Sequence, residues 1–373
     1  MPVDPTAIRL PEALRPVDGR FGSGPSKVRD EAVRRLADAA HGFLGTSHRQ
    51  PGVRDLVGRL RAGMAELFAL PDGYEVLLGN GGTTAFWDAA TFGLIERRSQ
   101  HCSFGEFSAR FAGVVAAAPV LEDPEVLESP VGTHPEPRPN PDVDVYALTH
   151  NETSTGVMMD IARPDDDGLV LVDATSAAGG LRVDPGAFDC YYFAPQKAFG
   201  SDGGLWFALC SPAAVARVEA LGASGRWEPA FLSLPAALDH TRRNQTVNTP
   251  ALATLFLVAD TLEWMLAHGG LEWAASRCDR AAELLYGWAE ASPYATPFVA
   301  KPSERSHVTA TIDFDGVDAA QLAAALRANG ILDTESYRKL GRNQLRIALF
   351  PAIELDDVAT LTRAIDYVIE SLV

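Results

Sequence analysis

The sequence is poor in the features that mark secreted, metal-binding or nucleic-acid-binding proteins. It has four cysteines in 373 residues, Cys102, Cys190, Cys210 and Cys278, far apart and without a CxxC pair. That excludes a disulfide framework and a cysteine-based zinc site, and each is most simply a small buried hydrophobe. The eight histidines have no metal-ligand spacing either: His41 and His48 stand seven apart with no cysteine or carboxylate between them. Basic residues are outnumbered, with 32 Lys and Arg against 49 Asp and Glu for a net charge of −17. Such a balance argues against nucleic acid, whose binding rests on clustered cations. No apolar run approaches the roughly 18 residues of a membrane span; the run beginning at Ala251 meets Asp260. The N-terminus lacks a basic stretch leading into an apolar core, so no secretion leader is expected. A cytoplasmic, reduced, metal-free protein is the expectation.

What is present is the make-up of a folded globule, 47% hydrophobic and 22% charged, which rules out wholesale disorder. At about 100–200 residues per domain, the length fits a large α/β unit carrying a smaller one. Val28, Ala32, Val33 and Leu36 behind a capping Ser26 predict a helix over 26–40, and Val53, Leu56, Val57, Leu60, Met64 and Leu67 a second over 52–70. A strand over 74–78 runs into Gly81-Gly82-Thr83-Thr84 and a helix over 85–96, the building block of parallel sheets. Further strands are expected over 100–104, 145–149, 169–172, 190–193 and 205–209, the last three apolar enough for burial on both faces. The dense prolines between Glu122 and Asp144 read as a surface connector without function. From about Pro250 long helices lead to strands over 309–314 and 344–349, a helix over 317–329 and a last helix. The expected division is a segment 1–20, a large domain 21–255 with a mainly parallel sheet flanked by helices, and a small α+β domain 256–373.

Polar residues at the carboxyl ends of such strands share one crevice, where open α/β sheets bind ligands. Four strand ends supply Gly81-Gly82-Thr83-Thr84, Asn151-Glu152-Thr153, Asp173-Ala174-Thr175-Ser176 and Gln196-Lys197. Lys197 follows the apolar run 191–195, where partial desolvation would favour a neutral, nucleophilic amine; taken singly it could as well be a surface lysine with a buried stem. Asp173 could pair with a protonated pyridine nitrogen, or simply cap a turn. The glycine turn before a helix offers free N–H groups to an anion, though tight turns use glycine anyway.

These runs, with Asn248-Thr249-Pro250, resemble the class V, fold type I pyridoxal phosphate aminotransferases. Phe21-Gly22-Ser23-Gly24-Pro25, Thr46-Ser47-His48-Arg49 and Gly341-Arg342-Asn343-Gln344-Leu345-Arg346, with their spacing, resemble the phosphoserine aminotransferases in their actinobacterial form, from about Arg20 to the C-terminus. The resemblance implies that Lys197 forms a Schiff base with pyridoxal 5'-phosphate and shuttles the proton between Cα and C4′, while Asp173 keeps the pyridine nitrogen protonated. It places Phe107 on the ring face, where relatives often have tryptophan, and Thr153 on the phenolic oxygen. Thr83, Thr84, Ser176 and Gln196 would hold the phosphate, with Asn248 and Thr249 contributed by the partner in a homodimer. Arg346 would take the substrate α-carboxylate, and His48 and Arg49 with Arg338 the distal phosphate or the γ-carboxylate of glutamate. Tyr337 stands where many relatives have histidine, which leaves Lys339 and Arg342 as substitutes in phosphate binding.

The implied reaction transfers the amino group between L-glutamate and 3-phosphohydroxypyruvate, giving O-phospho-L-serine for serine biosynthesis; a phosphorylated hydroxythreonine precursor of vitamin B6 would fit the same anion sites. Two other class V activities compete with it. An alanine–glyoxylate type would have no use for His48-Arg49, and a cysteine desulfurase would need a cysteine on a late mobile loop, where the last is Cys278 in a helical stretch. A non-catalytic binding protein would not need Lys197 and Asp173 together. Trp87, Trp264 and Trp273 read as core or packing residues, and His150, at a strand end, as a candidate for the cofactor side.

Overall fold

The computed structural model describes residues 4–372. Two helices, α1 (Asp30–Phe43) and α2 (Pro51–Leu67), lead to β1 (Glu75–Gly81) and α3 (Thr83–Gly93). There follow β2 (Ser99–Ser103), α4 (Glu106–Ala116), β3 (Glu125–Glu128), β4 (Val145–Thr149), and a small hairpin of β5 (Asn151–Glu152) and β6 (Val157–Met158). The strands β7 (Leu169–Asp173), β8 (Cys190–Phe193) and β9 (Gly204–Cys210) complete the first half, and α5 (Pro212–Ala223) and α6 (Leu234–Arg242) cover it. The chain ends in α7 (Leu252–His268), α8 (Gly270–Ala291), β10 (Ala295–Pro297), β11 (Thr309–Phe314), α9 (Ala319–Ala328), β12 (Gln344–Ala348) and α10 (Leu355–Leu372).

Seven strands form one sheet in the order β1-β9-β8-β7-β4-β2-β3. Pairings from β8 to β3 are parallel, and β9 alone runs against its neighbours β8 and β1. The carboxyl ends of β1, β4, β7 and β8 therefore lie along one edge. The central strands β4, β7 and β8 are buried at every residue, as their apolar runs demand when helices cover both faces. Phe193 stacks on Phe199 and Phe207, with ring centroids 5.2 and 5.6 Å apart. Each such pair contributes about 0.5–1.5 kcal/mol beyond burial, and together they pin the loop carrying Lys197 from both sides.

A second, antiparallel sheet, β10-β11-β12, sets Arg346 opposite Thr311. The β5–β6 hairpin joins the two sheets: Thr311 Oγ1 donates to the Thr155 carbonyl at 2.9 Å. One apolar cluster runs from the large sheet through α7 and α8 to the small sheet and α10. Helix α7 is buried along most of its length, which fits its unbroken apolar character, and it packs on α1 and α2. No helix among the described residues is long and apolar enough to cross a membrane.

Three local expectations are corrected. The first helix begins at Asp30, not Ser26: Ser26 N donates to the Gln196 carbonyl at 2.9 Å, and its hydroxyl bonds the Lys197 carbonyl. Ser26 ties the entering chain to the lysine loop instead of capping a helix. The proline-rich connector contains β3, an edge strand parallel to β2 whose exposed Glu128 helps to blunt the edge. The short β10 was not expected, since three residues ending in proline give no strand period.

Candidate active site

At the carboxyl edge of the large sheet lies a cavity of about 390 Å³, within the range of small-molecule sites. Thr83, Thr84, Phe107, Thr153, Asp173, Ser176, Gln196 and Lys197 all line it. Eight residues from five separate stretches of sequence thus converge.

Lys197 is 8% exposed, and its Nζ donates to Thr153 Oγ1 at 3.1 Å and lies 5.5 Å from the Phe107 ring centroid. Burial pulls its pKa down to about 8, with the Arg346 charge adding to the effect and Asp173 and Glu152 opposing it. Gly24 makes room for it: a Cβ there would stand 2.7 Å from Lys197 Cε, and its φ of +137° suits glycine. Asp173 is buried, which raises its pKa; hydrogen bonds from Thr175 pull the other way. Its Oδ1 accepts from Thr175 N at 2.9 Å and its Oδ2 from Trp87 Nε1 at 3.2 Å. Neither bond neutralises the charge, and no ion pair to Asp173 occurs among the described residues. Thr153 Oγ1 donates to Ser176 Oγ at 2.9 Å, and Ser176 Oγ also accepts from Asn151 Nδ2 at 2.8 Å.

Helix α3 points its N-terminus at the cavity with no side chain capping it, leaving free N–H groups and the positive end of the helix dipole. Thr83 Oγ1 lies 2.6 Å from Thr175 Oγ1 at this spot. Gln196 Oε1 and Asn151 Oδ1 are buried without a partner, and such atoms are rare unless a ligand meets them.

The other predicted residues stand apart from this cavity. Arg346 reaches toward it from β12: Nη1 donates to the Thr153 carbonyl at 3.4 Å, Nε is buried and unpartnered, and Cζ lies 5.3 Å over the Tyr337 ring. Arg338 is exposed without an ion pair among the described residues. Lys339 pairs with Glu106, and Arg342 with Asp313. His48, Asn248 and Thr249 gather elsewhere, beyond the end of β1: His48 Nδ1 lies 3.1 Å from Thr249 Oγ1, and Asn80 Nδ2 donates to the Thr249 carbonyl at 3.0 Å. Asn248, Thr249 and Arg49 are exposed.

Trp87 is a core residue as expected, 2% exposed, and it also donates to Asp173 and lines the cavity; its place four residues after Thr83 on one helix puts both on the same face. His150, a candidate for the cofactor side, bonds Tyr191 Oη at 3.0 Å through Nδ1, and burial lowers its pKa to about 4. Thr175 joins the site through both its N–H and its hydroxyl. Cys278 is fully buried in α8, so it offers no accessible nucleophile.

Pyridoxal phosphate presents the complementary set: an aldehyde for the lysine amine, a pyridine nitrogen for the carboxylate, a ring face for Phe107 and a phosphate for the helix N-terminus. The fold and site define a pyridoxal phosphate-dependent transaminase. A sequence model of the aminotransferase class-V family matches residues 135–334, over half of the chain, which belongs to that family. A phosphoserine aminotransferase of Nocardioides sp. (strain ATCC BAA-499 / JS614) is 58% identical over 371 residues, covering 98% of this chain and 99% of the relative. A Mycobacterium leprae (strain TN) protein, provisionally named the same, is 59% identical over 369 residues, 98% of each chain. The crystal structure of a phosphoserine aminotransferase from Cytophaga hutchinsonii superposes with a TM-score of 0.86 at 25% identity, covering 94% of this chain and 99% of that one.

Proposed function

We propose that this chain is a phosphoserine aminotransferase: with pyridoxal 5'-phosphate, it moves the amino group between L-glutamate and 3-phosphohydroxypyruvate, giving O-phospho-L-serine and 2-oxoglutarate. The observation that carries the reading is Lys197, buried and without a carboxylate partner, with Asp173 and the open α3 N-terminus in the same cavity. Relatives of that name at 58–59% identity support the substrate.

When bound, the cofactor supplies a sink for the electrons released at the substrate Cα. Lys197 would hold it and, once its amine is released, could take the Cα proton and return it. Asp173 would face the pyridine nitrogen and favour its protonated form. Phe107 would cover one ring face, and Thr153, turning its hydroxyl from Ser176, would donate to the phenolic oxygen. Thr83, Thr84, Ser176 and Gln196 would hold the phosphate at the α3 N-terminus. Arg346 binds the substrate α-carboxylate through its planar guanidinium.

The half-buried His48 and the exposed Arg49, Asn248 and Thr249 serve a second copy of the chain in a homodimer, where Asn248 and Thr249 reach the partner's cofactor phosphate. His48 and Arg49, with Arg338, take the distal phosphate or the γ-carboxylate of glutamate. We divide the chain into an entry segment 1–20, a cofactor domain 21–255 and a small domain 256–373, and place it in the cytoplasm, where four free thiols stay reduced.

The test is the absorbance of purified protein, before and after glutamate and then after 3-phosphohydroxypyruvate. The visible cofactor band should vanish with glutamate and return with the phosphorylated ketoacid. If glyoxylate or pyruvate restores it equally well, the substrate assignment falls. If no band forms even with added pyridoxal phosphate, the role of Lys197 falls too.

A further inference from the structure

Helix α4, which carries Phe107, begins at a residue that cannot cap it. Its N-cap is Gly105, and only Ser108 Oγ, accepting from Gly105 N at 3.1 Å, supplies part of a local cap. The N–H groups of the first turn go across the fold to the β5–β6 hairpin. Ser154 Oγ accepts from Glu106 N at 3.0 Å, and Glu152 Oε2 accepts from Phe107 N and Ser108 N at 3.1 and 2.9 Å. Ser154 in turn holds Glu152 Oε1, through its N–H at 3.1 Å and its hydroxyl at 2.7 Å, while Ser108 Oγ lies 3.0 Å from Oε2.

Glu152 is 0% exposed, and no cation pairs with it among the described residues. A buried carboxylate without a cation is costly unless several donors meet it; here five do. The fit is tight, since a Cβ on Gly105 would lie 2.3 Å from Glu152 Cγ. Between Glu152 and Ser154 stands Thr153, whose hydroxyl receives Lys197 Nζ. One three-residue run therefore grips α4 with its outer side chains and meets the lysine with its middle one.

We propose that Glu152 is a positioning residue: by capping α4 from the hairpin, its carboxylate fixes Phe107 against the cavity wall opposite Lys197 and so sets the clamp on the cofactor ring. This rests on the cofactor reading given above. Glu152 is not among the residues lining the cavity and acts through Phe107. Its negative charge also opposes the fall in the Lys197 pKa.

The experiment titrates apoprotein with pyridoxal 5'-phosphate in four forms: wild type, Glu152→Gln, Phe107→Ala and the double variant, with the thermal midpoint of each apoprotein. Glu152→Gln should weaken cofactor binding on the order of tenfold in the wild-type background and by less than about twofold when Phe107 is already alanine, because coupled residues are non-additive. Equal losses in both backgrounds would mean a cap that matters for stability alone and would overturn the proposal, as would unchanged binding in Glu152→Gln. Should Glu152→Gln not fold, Ser154→Ala keeps the carboxylate and removes the acceptor for Glu106 N. The same comparison then applies to it, and equal losses or unchanged binding would again overturn the proposal. If wild-type apoprotein fails to bind pyridoxal phosphate, the functional reading falls first and this proposal with it; binding with additive losses removes this proposal only.

Discussion

Among the cavities lined by charged side chains in the described residues, two differ sharply in how those charges are met, and volume does not single out the site. The one described above measures about 390 Å³; the other, about 590 Å³, lies between the entry segment, the start of α1, helices α7 and α8 and the start of α10. In the larger one most cations are met by carboxylates, and the buried Asp357 accepts from Val17 N at 2.8 Å. Lys27 Nζ lies 3.1 Å from Asp18 Oδ2, Arg277 Nη2 lies 2.8 Å from Glu354 Oε2, and Arg29 pairs with Asp260 while sitting 4.4 Å over the Trp264 ring. Of its four cations, Arg280 alone lacks a carboxylate among the described residues, and it is exposed. In the smaller cavity Lys197 and Asp173 are buried with no ion pair among the described residues, where Gln196 and Asn151 also keep unpartnered oxygens. Polarity left unsatisfied at a cost in stability marks a site; polarity satisfied internally marks architecture.

The sharpest way to break this comparison is to remove a cation from each cavity. Lys197→Met should abolish transamination, by at least about a thousandfold, and at the same time stabilise the apoprotein. The sign follows from the folded pKa of about 8 against an ordinary 10.5. Between those values the unfolded chain binds more protons, so wild-type apoprotein gains stability as pH rises from about 8 toward 10.5, and below pH 8 it carries the full cost, ~3 kcal/mol. Methionine removes that cost. Urea unfolding of both apoproteins at about pH 7 and about pH 10, either side of the folded pKa, measures it. The advantage of Lys197→Met should shrink at the higher pH, and a variant less stable than wild type at neutral pH sinks the argument. Arg29→Met should do the reverse, losing about 1–2 kcal/mol of stability, because Asp260 loses its buried partner but keeps Arg35 at 2.9 Å, with turnover per folded molecule unchanged.

The same distinction explains how much could be read from the chain alone. Of the eight cavity residues Phe107, on α4, came from the family resemblance alone; the other seven were legible because chemistry-bearing side chains sit at strand ends, and strand ends of one sheet share an edge whatever the distance in sequence. Position within short periodic stretches was enough to find them. What escaped is long-range satisfaction. Ser26 has the sequence setting of a helix cap, yet its bonds go to residues 196 and 197. Gly105 gives no hint that its helix is capped from Glu152, and the indole N–H of Trp87 finds Asp173 only once α3 is docked on the sheet. In each case a local pattern fits one partner, and tertiary packing supplies a better one.

A smaller effect extends the comparison to the loop before β12. Arg338, exposed and unpaired among the described residues, should matter for substrate: Arg338→Ala is expected to raise KM for 3-phosphohydroxypyruvate roughly tenfold, the loss of one charge-assisted contact, with little change in stability. Steady-state kinetics with the phosphorylated ketoacid and with glutamate measure it, and an unchanged KM removes Arg338 from the anion site.

Arg342, four residues on, has the same charge and the opposite situation. Its Nε lies 3.2 and 3.1 Å from the two Asp313 oxygens, and its guanidinium sits 4.4 Å over the Phe298 ring. A side chain engaged twice would have to abandon both contacts to meet a phosphate. Asp313 would not be orphaned by its loss, because Gln344 Nε2 donates to Oδ1 at 2.9 Å. The arginine side chain is 41% exposed, so solvent screens the pair, and Arg342→Ala should cost less than ~1 kcal/mol of stability. KM for 3-phosphohydroxypyruvate should stay within about twofold of wild type, below the roughly tenfold change of losing a charge-assisted contact. If it rises as far as in Arg338→Ala, then a paired cation can still be the ligand, and the rule separating the two cavities fails at this loop.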